Sequence, residues 1–180
     1  MRPYDIMKGT KIHLRALEPQ DVDLLYEWEN DSDVWGYGNT TIPFSRHQLQ
    51  EYILSVQDIY ADKQVRFMIC KNNNTKTEVG CIDMFNFDPK NMRAGVGILI
   101  GNKKNRNKGY ASEALSLLIN YAFHTLCIHQ IYCTIPEGNE ISIKLFLKQG
   151  FKKIATHKQW IRDNEGWKDE LLFQLINPME

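Results

Sequence analysis

Alternating polar and apolar side chains near the start of the chain predict a half-buried strand over residues 11–16. A helix is expected next, because Pro19 suits a first helical position and an apolar stripe at helical spacing follows it. Ser45 and Gln48 have the spacing of a capping box. They predict that a second helix begins there and runs towards Tyr60.

Three strand-like runs and a long helix make up the middle of the chain. The runs cover residues 65–71, 78–87 and 93–100, and turn-forming Asn, Asp and Pro residues separate them. An antiparallel meander is therefore expected. Apolar residues three and four positions apart then predict a helix over residues 110–126.

The last third of the chain has the pattern of a strand, a short helix and two more strands. The strand is expected at residues 130–135 and the helix at 139–149, with Gly150 in a left-handed cap. The final strands are expected at residues 151–161 and 167–176.

Length and composition favour a single soluble globular domain. The chain has 180 residues, of which 43% are hydrophobic and 24% charged, so one domain is expected over 1–180 with its core at about 10–176. No apolar run approaches the ~20 residues of a membrane span, and no signal-like segment opens the chain. A cytoplasmic location with no membrane partner is expected. The four cysteines and five histidines lack metal-binding spacing, so no metal is expected.

The charges cancel overall but are unevenly distributed. The chain has 22 basic and 22 acidic residues, which argues against a nucleic-acid partner. Residues 18–33 contain seven acids and no Lys or Arg, whereas residues 89–112 contain six basic residues and no acid. Zero net charge also favours association, so a homodimer or larger homo-oligomer is an open expectation.

The most informative segment is the basic loop that joins the strand at 93–100 to the long helix. The first turn of a helix presents unpaired N–H groups and a positive dipole end, which can hold phosphate oxygens. Gly109 lets a ligand approach the backbone, and Ala111 avoids a side-chain clash. Neither GxGxxG nor GxxxxGK[ST] is present. An anion site is the prediction, and a plain solvated surface is the alternative.

Two motifs resemble those of the GNAT N-acetyltransferases. Residues 106–111, RNKGYA, resemble the R/Q-x-x-G-x-G/A pyrophosphate loop, and residues 139–151 resemble the N-E-x-[AS]-I-x-x-Y-x-K-x-G-F segment. The order of elements over residues 10–176 also fits, and the branch with spermidine and ribosomal-protein N-terminal acetyltransferases is the most similar. The resemblance implies an α/β fold with a mixed, mostly antiparallel sheet. About seven strands, the fourth and fifth splayed, would be flanked by about four helices.

The resemblance also implies acetyl-coenzyme A as the acetyl-donor cosubstrate. Backbone groups near Ile98 and Ile100 would pair with its pantetheine arm, and an N–H there would polarise the acetyl carbonyl. The other implied coenzyme contacts are Arg106, Asn107, Lys108, Gly109, Tyr110, Ala111, Ser112, Asn139 and Phe146.

Two positions depart from the family pattern. Phe146 stands where many relatives have an acid tyrosine, and Gly95 stands where polyamine-acetylating relatives often have a carboxylate. Neither residue can transfer a proton. Ordered water and backbone polarisation are therefore favoured, with Asp83 as the leading side chain, and the case for Glu137 is similarly weak. For Asp83 itself, a solvent-facing or turn-pairing carboxylate is the favoured alternative.

The expected activity is N-acetylation of a primary amine by direct transfer in a ternary complex. The acceptor could be a protein N-terminus, a polyamine, an aminosugar or a small metabolite. The resemblance implies that residues 18–33 lie in the helix pair that shapes the acceptor pocket, where their acids would attract a cationic amine. Glu27 is the candidate acidic contact, and Trp35 and Tyr37 are candidate walls of that pocket. A solvated helix face is the alternative for those acids. The alternative function, suggested by Gly95 and Phe146, is an inactive sensor or interaction module that binds coenzyme A.

Overall fold

The predicted strands form one seven-stranded sheet. The structure is a computed structural model that describes residues 7–32, 41–55, 58–72, 77–163 and 166–178. The sheet order is β1-β2-β3-β4-β5-β7-β6. The strands are β1 (Ile12–Ala16), β2 (Val65–Lys71), β3 (Glu78–Asp88), β4 (Arg93–Ile100), β5 (Gln130–Pro136), β6 (Lys152–Asp163) and β7 (Gly166–Ile176).

Five α-helices flank the sheet in the described part of the chain. They are α1 (Val22–Glu29), α2 (Arg46–Leu54), α3 (Ile59–Asp62), α4 (Tyr110–His124) and α5 (Glu140–Lys148), and 3-10 turns precede α1 and α4 at Pro19–Asp21 and Lys103–Asn105. The mixed, mostly antiparallel α/β architecture expected from the sequence is confirmed.

Hydrogen bonds at the helix ends explain where the sequence prediction succeeded and where it did not. The Ser45 side chain accepts a hydrogen bond from the Gln48 N–H, and the Gln48 side chain accepts one from the Ser45 N–H, which confirms the capping box. A continuous helix towards Tyr60 was wrong. Helix α2 ends at Leu54, and Asp58 caps α3 by accepting a hydrogen bond from the Tyr60 N–H at 2.8 Å.

The sheet consists of two halves that barely touch. Strands β1 to β4 pair antiparallel, and β5, β7 and β6 do the same. The halves are joined by parallel pairing of Arg93, Ala94 and Gly95 with residues 130–132 of β5. Beyond Gly95 the register with β5 stops, while β5 continues on β7 as far as Pro136. The predicted splay between the fourth and fifth strands is confirmed.

Both faces of the sheet are covered by helices. Ile69 belongs to the cluster beneath α4, while its neighbour Met68 belongs to the cluster beneath α1 and α2, because successive strand residues point to opposite faces. Leu115 and Leu118 of α4 are fully buried, and burying each contributes roughly 1.5–3 kcal/mol. Helix α4 is thereby fixed beside the splayed strands.

We expect Gly101→Ala to destabilise the protein, because Gly101 packs beneath the buried indole of Trp28. An added Cβ would lie 2.3 Å from Trp28 Cε2, and such overpacking costs about 1–3 kcal/mol. Gly97→Ala is the matched control, since its Cβ would meet only Asp83 and Phe85 at 3.6 Å. Urea denaturation measures both. Equal stabilities for the two variants would contradict this packing account.

Candidate functional site

A cavity of about 530 Å³ lies where β4 leaves β5. Its walls come from β3, the splayed end of β4, the loop before α4, the first turn of α4, and α5. Nine of the eleven residues expected to contact coenzyme line it: Ile98, Ile100, Arg106, Asn107, Gly109, Tyr110, Ala111, Ser112 and Asn139. The structure thus brings two distant sequence motifs to one cavity. Their role in binding stays a prediction.

The exposed edge of β4 offers backbone hydrogen-bonding groups to this cavity. Gly101 donates its N–H to Val79 O at 3.0 Å, so its backbone faces β3. Backbone direction alternates along a strand in an antiparallel pair. The polar groups of Ile98 and Ile100 therefore face the opposite edge, and Ile100 O lies 3.4 Å from Arg106 Nε. This edge can pair with an extended amide-containing ligand.

The loop before α4 is shaped for an anion. Asn107 and Gly109 both have positive φ, at 61° and 84°, and such a backbone favours glycine. The first helical hydrogen bond runs from Glu113 N to Gly109 O at 3.1 Å. The N–H groups of residues 110–112 therefore have no partner within the helix. They can donate to phosphate oxygens.

The start of β1 is tied to this same loop, which the sequence did not predict. The Glu113 carboxylate accepts hydrogen bonds from Thr10 N at 2.5 Å, Thr10 Oγ1 at 2.8 Å and Lys11 N at 3.1 Å. Lys11 Nζ donates to Lys108 O at 3.1 Å. The partners lie about a hundred positions apart in the sequence, and no local pattern links them.

Helix α5 contributes to the site through its first turn. Asn139 caps it by accepting a hydrogen bond from Ser142 N at 3.2 Å, and both residues line the cavity. Phe146, one turn further on, is 3% exposed and packs edge to face on Phe151 at 5.0 Å. It belongs to the core and does not line the cavity, contrary to the expected coenzyme contact. Lys108 also lies outside the lining and presents its carbonyl to Lys11.

A cluster of three charged side chains lines the cavity on the side of β2, β3 and α1. Arg66 donates to both oxygens of Asp83, at 3.0 and 2.9 Å, and to Glu29 at 2.5 Å. Burial disfavours the guanidinium charge, but the electrostatic surroundings, with Asp83 foremost, outweigh burial and raise the pKa of Arg66 well above its usual value. Asp83 is therefore held mainly as a charge partner of Arg66.

The family position occupied by Gly95 has a steric explanation. A Cβ on Gly95 would lie 2.4 Å from Cε2 of Phe85, whose ring packs edge to face against Tyr132 at 6.4 Å. A carboxylate side chain cannot enter without moving that ring. The aromatic pair occupies the place where some relatives have an acidic residue.

Of the residues expected to bind the acceptor, Glu27 does not reach the cavity. Glu27 is exposed, whereas Glu29 lines the cavity, because residues two apart on a helix point about 200° apart. Trp35 and Tyr37 lie outside the described residues. Glu29 was missed, and so was its partner Arg66.

The acidic segment is also less negative than its sequence implied. Asp21 accepts from Arg15 at 2.7 Å, Asp23 accepts from Arg46 at 2.8 Å, and Glu29 pairs with Arg66. Among the described residues, basic side chains from outside the segment therefore offset at least three of these acids. Its attraction for a cationic acceptor is correspondingly reduced.

Two further features bear on the kind of site. Within the described ranges, no group of His, Cys, Asp and Glu is placed to hold a metal ion. None of the helices in those ranges is long and apolar enough to cross a membrane.

The fold is similar to that of two acetyltransferases of known structure. The spermidine N-acetyltransferase of Vibrio cholerae, in complex with CoA and spermine, has a TM-score of 0.83 and 21% identity over 94% of this chain and 97% of that chain. The ribosomal-protein-S5-alanine acetyltransferase of Vibrio fischeri has a TM-score of 0.81 and 18% identity, covering 95% and 96%.

Sequence comparison identifies the family. A family model described as an acetyltransferase (GNAT) domain matches residues 11–152. The uncharacterized N-acetyltransferase p20 of Bacillus licheniformis is 30% identical over 167 residues, which cover 92% of this chain and 93% of the relative. The chain therefore belongs to the GNAT acetyltransferase family and is an acyltransferase.

We expect Arg66→Met to destabilise the protein strongly at neutral pH. The substitution leaves the carboxylates of Glu29 and Asp83, each 16% exposed, without their shared cation. Removing one partner of a buried ion pair costs about 3–5 kcal/mol. Chemical denaturation measures the loss.

Two controls accompany Arg66→Met. Arg46→Met breaks the exposed pair with Asp23, and exposed pairs stabilise little, so its effect should be much smaller. Adding Asp83→Asn to Arg66→Met should recover part of the loss, because one uncompensated carboxylate is removed. Equal stability for Arg66→Met and Arg46→Met would refute the proposed importance of this cluster.

Proposed function

We propose that the protein transfers the acetyl group of acetyl-coenzyme A to a primary amine by direct transfer in a ternary complex. The observation on which this proposal rests is one cavity with three walls. They are the loop at residues 101–109 (the anion loop), the edge of β4 that faces away from β3, and the Glu29–Arg66–Asp83 cluster. Coenzyme A has a chemistry that matches the first two walls. Its phosphates suit the loop, and its amide-containing arm suits the strand edge.

The residues present fit this cosubstrate. The phosphates would accept hydrogen bonds from the N–H groups of residues 110–112, with Arg106 contributing positive charge. The pantetheine amides would pair with backbone groups of Ile98 and Ile100. An N–H on the same edge would polarise the acetyl carbonyl, which stabilises the charge that develops on its oxygen.

The reaction requires a neutral amine. The amine nitrogen attacks the thioester carbonyl carbon, a C–N bond forms and the C–S bond breaks. The amine loses a proton, and the coenzyme sulfur gains one, so coenzyme A leaves as a thiol. An alkylamine resembles lysine, with a pKa near ~10.4, so a proton acceptor is needed. We assign that role to water, with Asp83 as the leading side chain. Water is preferred because both Asp83 oxygens accept from Arg66.

Direct transfer is favoured over an acetyl-enzyme intermediate. Cys81 lines the cavity and is the thiol nearest to the charged cluster in sequence. Burial raises the pKa of the Cys81 thiol well above its ordinary value, and this outweighs the opposing effect of Arg66. A protonated thiol is a poor nucleophile. The incoming amine is therefore assigned the attack on the thioester.

The acceptor class remains a protein N-terminus, a polyamine, an aminosugar or a small metabolite. Two structural neighbours are a spermidine N-acetyltransferase and a ribosomal-protein-S5-alanine acetyltransferase. A spermidine N-acetyltransferase neighbour is described as dodecameric. Assembly of this chain into a homodimer or larger homo-oligomer is part of the proposal, and so is a cytoplasmic location.

A second candidate function is coenzyme A binding without turnover. It is favoured by the packing of Gly95 against Phe85 and by the burial of Phe146 in the core. The resemblance places an acid tyrosine of many relatives at position 146 and a carboxylate of polyamine-acetylating relatives at position 95. A sensor of this kind would use the same cavity and would release no thiol.

A screen of amine acceptors separates the two functions. We expect thiol release from acetyl-coenzyme A to rise above the amine-free rate with at least one class among peptide N-termini, polyamines, aminosugars and amino-acid-like metabolites. Isothermal titration with coenzyme A is run on the same preparation. Binding without acceptor-dependent release from any class would support the sensor instead.

We expect Gly109→Val to abolish most coenzyme A binding. A side chain there would occupy the ligand side of the loop and force a φ of 84° on a β-branched residue. A loss of at least roughly 100-fold, or ~2.7 kcal/mol, is expected by calorimetry.

Gly150→Val controls for backbone strain in the Gly109→Val test. Gly150 has a similar φ of 89°, and its nearest contact is Leu175 at 3.6 Å, away from the cavity lining. This variant should lose stability and keep its affinity. Unchanged coenzyme affinity in Gly109→Val would show that the phosphates bind elsewhere.

A further inference from the structure

Residues 9–11, which precede β1, are joined to the anion loop and to the first turn of α4 by hydrogen bonds from Thr10 and Lys11. Gly9 N donates to Ile12 O at 2.8 Å, which turns the chain towards α4. A Cβ on Gly9 would lie 2.4 Å from Glu113 Oε1, so glycine allows this close approach. Glu113 then accepts hydrogen bonds from Thr10 and Lys11. The segment is held against the first turn of α4.

This attachment places a cation beside the loop. Lys11 Nζ donates to Lys108 O at 3.1 Å and lies 3.2 Å from the position a Cβ on Gly109 would occupy. A lysine ammonium carries three donors. One is used by the Lys108 carbonyl, and the other two are directed away from it.

The charge of Glu113 makes this cation important. A carboxylate in the first turn of a helix occupies the end that favours anions, and there it would repel a phosphate bound to the same turn. In this protein the Glu113 oxygens are turned towards Thr10 and Lys11. The Lys11 ammonium adds a positive charge on the same side. Because Glu113 is bonded to Thr10 and Lys11 and the Lys11 ammonium lies nearby, the first turn of α4 can bind a phosphate in addition to the Glu113 carboxylate.

We propose that Lys11 is a further phosphate-binding residue of the coenzyme site, and that Glu113 positions it. This proposal rests on the proposed function, because the phosphate is a phosphate of coenzyme A. The ligand chemistry is shared by two sources, the pyrophosphate bridge and the 3′-phosphate. Lys11 lies far in sequence from the motif at residues 106–111, so the motif alone does not identify Lys11 as a binding residue.

The test replaces Lys11 and measures coenzyme affinity by calorimetry. Lys11→Met should weaken coenzyme A binding by about tenfold, the loss of one charge-assisted hydrogen bond. Lys11→Arg keeps the charge and should bind within about threefold of the original protein. Lys8→Met is the matched control, because it removes the same charge from the same exposed segment and should change affinity by less than about twofold.

Dephospho-coenzyme A, which lacks the 3′-phosphate, distinguishes the two sources. If Lys11→Met weakens coenzyme A but not dephospho-coenzyme A, Lys11 binds the 3′-phosphate. If it weakens both equally, Lys11 binds the pyrophosphate. Either result supports the proposal.

Other outcomes would refute either the role of Lys11 or the proposed function, and the two can be told apart. If Lys11→Met binds coenzyme A as tightly as the original protein, or if Lys8→Met loses as much affinity as Lys11→Met, the role of Lys11 is refuted. Thermal unfolding of every variant detects a general loss of structure. Should Lys11→Met unfold, Lys11→Gln keeps a donor without the charge, and unchanged affinity in it also refutes the proposal. Failure of the original protein to bind coenzyme A refutes the proposed function itself.

Discussion

The parting of β4 from β5 is the constraint on which the rest of the site depends. Strand β4 pairs with β3 along its length, and β5 pairs with β7 along its length. Only three residue pairs, between β4 and β5, join the two halves of the sheet. Beyond Gly95 the backbone groups of β4 on that side have no strand to pair with. A ligand with amides along its length can satisfy them, and an added strand would close the cavity.

The anion loop depends on the same parting. Gly101 directly follows β4, and its N–H still donates to Val79 of β3. Trp28 packs on Gly101 from α1. The loop therefore leaves the sheet from a fixed point and returns to start α4, which is anchored by Leu115 and Leu118 in the core. Because both ends are fixed by packing, the positive φ at Gly109 can be maintained without a ligand. The N–H groups of the first turn are preorganised.

Much of the fold was predictable because its signals are local. The capping box at Ser45, the left-handed Gly150 and the apolar spacing of α4 each lie within a few residues of the element they define. The helix boundary before α3 was missed because a cap at Asp58 outweighs the continuing apolar pattern. That the loop at residues 106–111 lies at the cavity was predictable for the same reason, because its sequence signal lies within six consecutive residues. Its binding of coenzyme stays a prediction.

The charged cluster was not predictable, because it depends on strand register. Arg66 faces Asp83 across β2 and β3. A bulge between Ile69 and Cys70 shifts the register nearer the turn, so counting back from the turn would place Arg66 opposite Ile82 instead. A slip of one residue reverses the face on which a side chain lies. The attachment of Lys11 to Lys108 was beyond reach for a simpler reason, since nothing local joins residues so far apart.

The two departures from the family pattern now have a common physical meaning. At Gly95 the ring of Phe85 fills the space a carboxylate would need, and Phe146 is packed against Phe151 in the core. Side chains with titratable groups are thus replaced by aromatic packing at both places. Asp83 of β3 places a carboxylate at the cavity, but the positive charge of Arg66 offsets the charge of that carboxylate. In the proposed mechanism, rate acceleration would therefore come chiefly from orientation of the amine and from polarisation of the thioester by backbone N–H groups along the splayed strand.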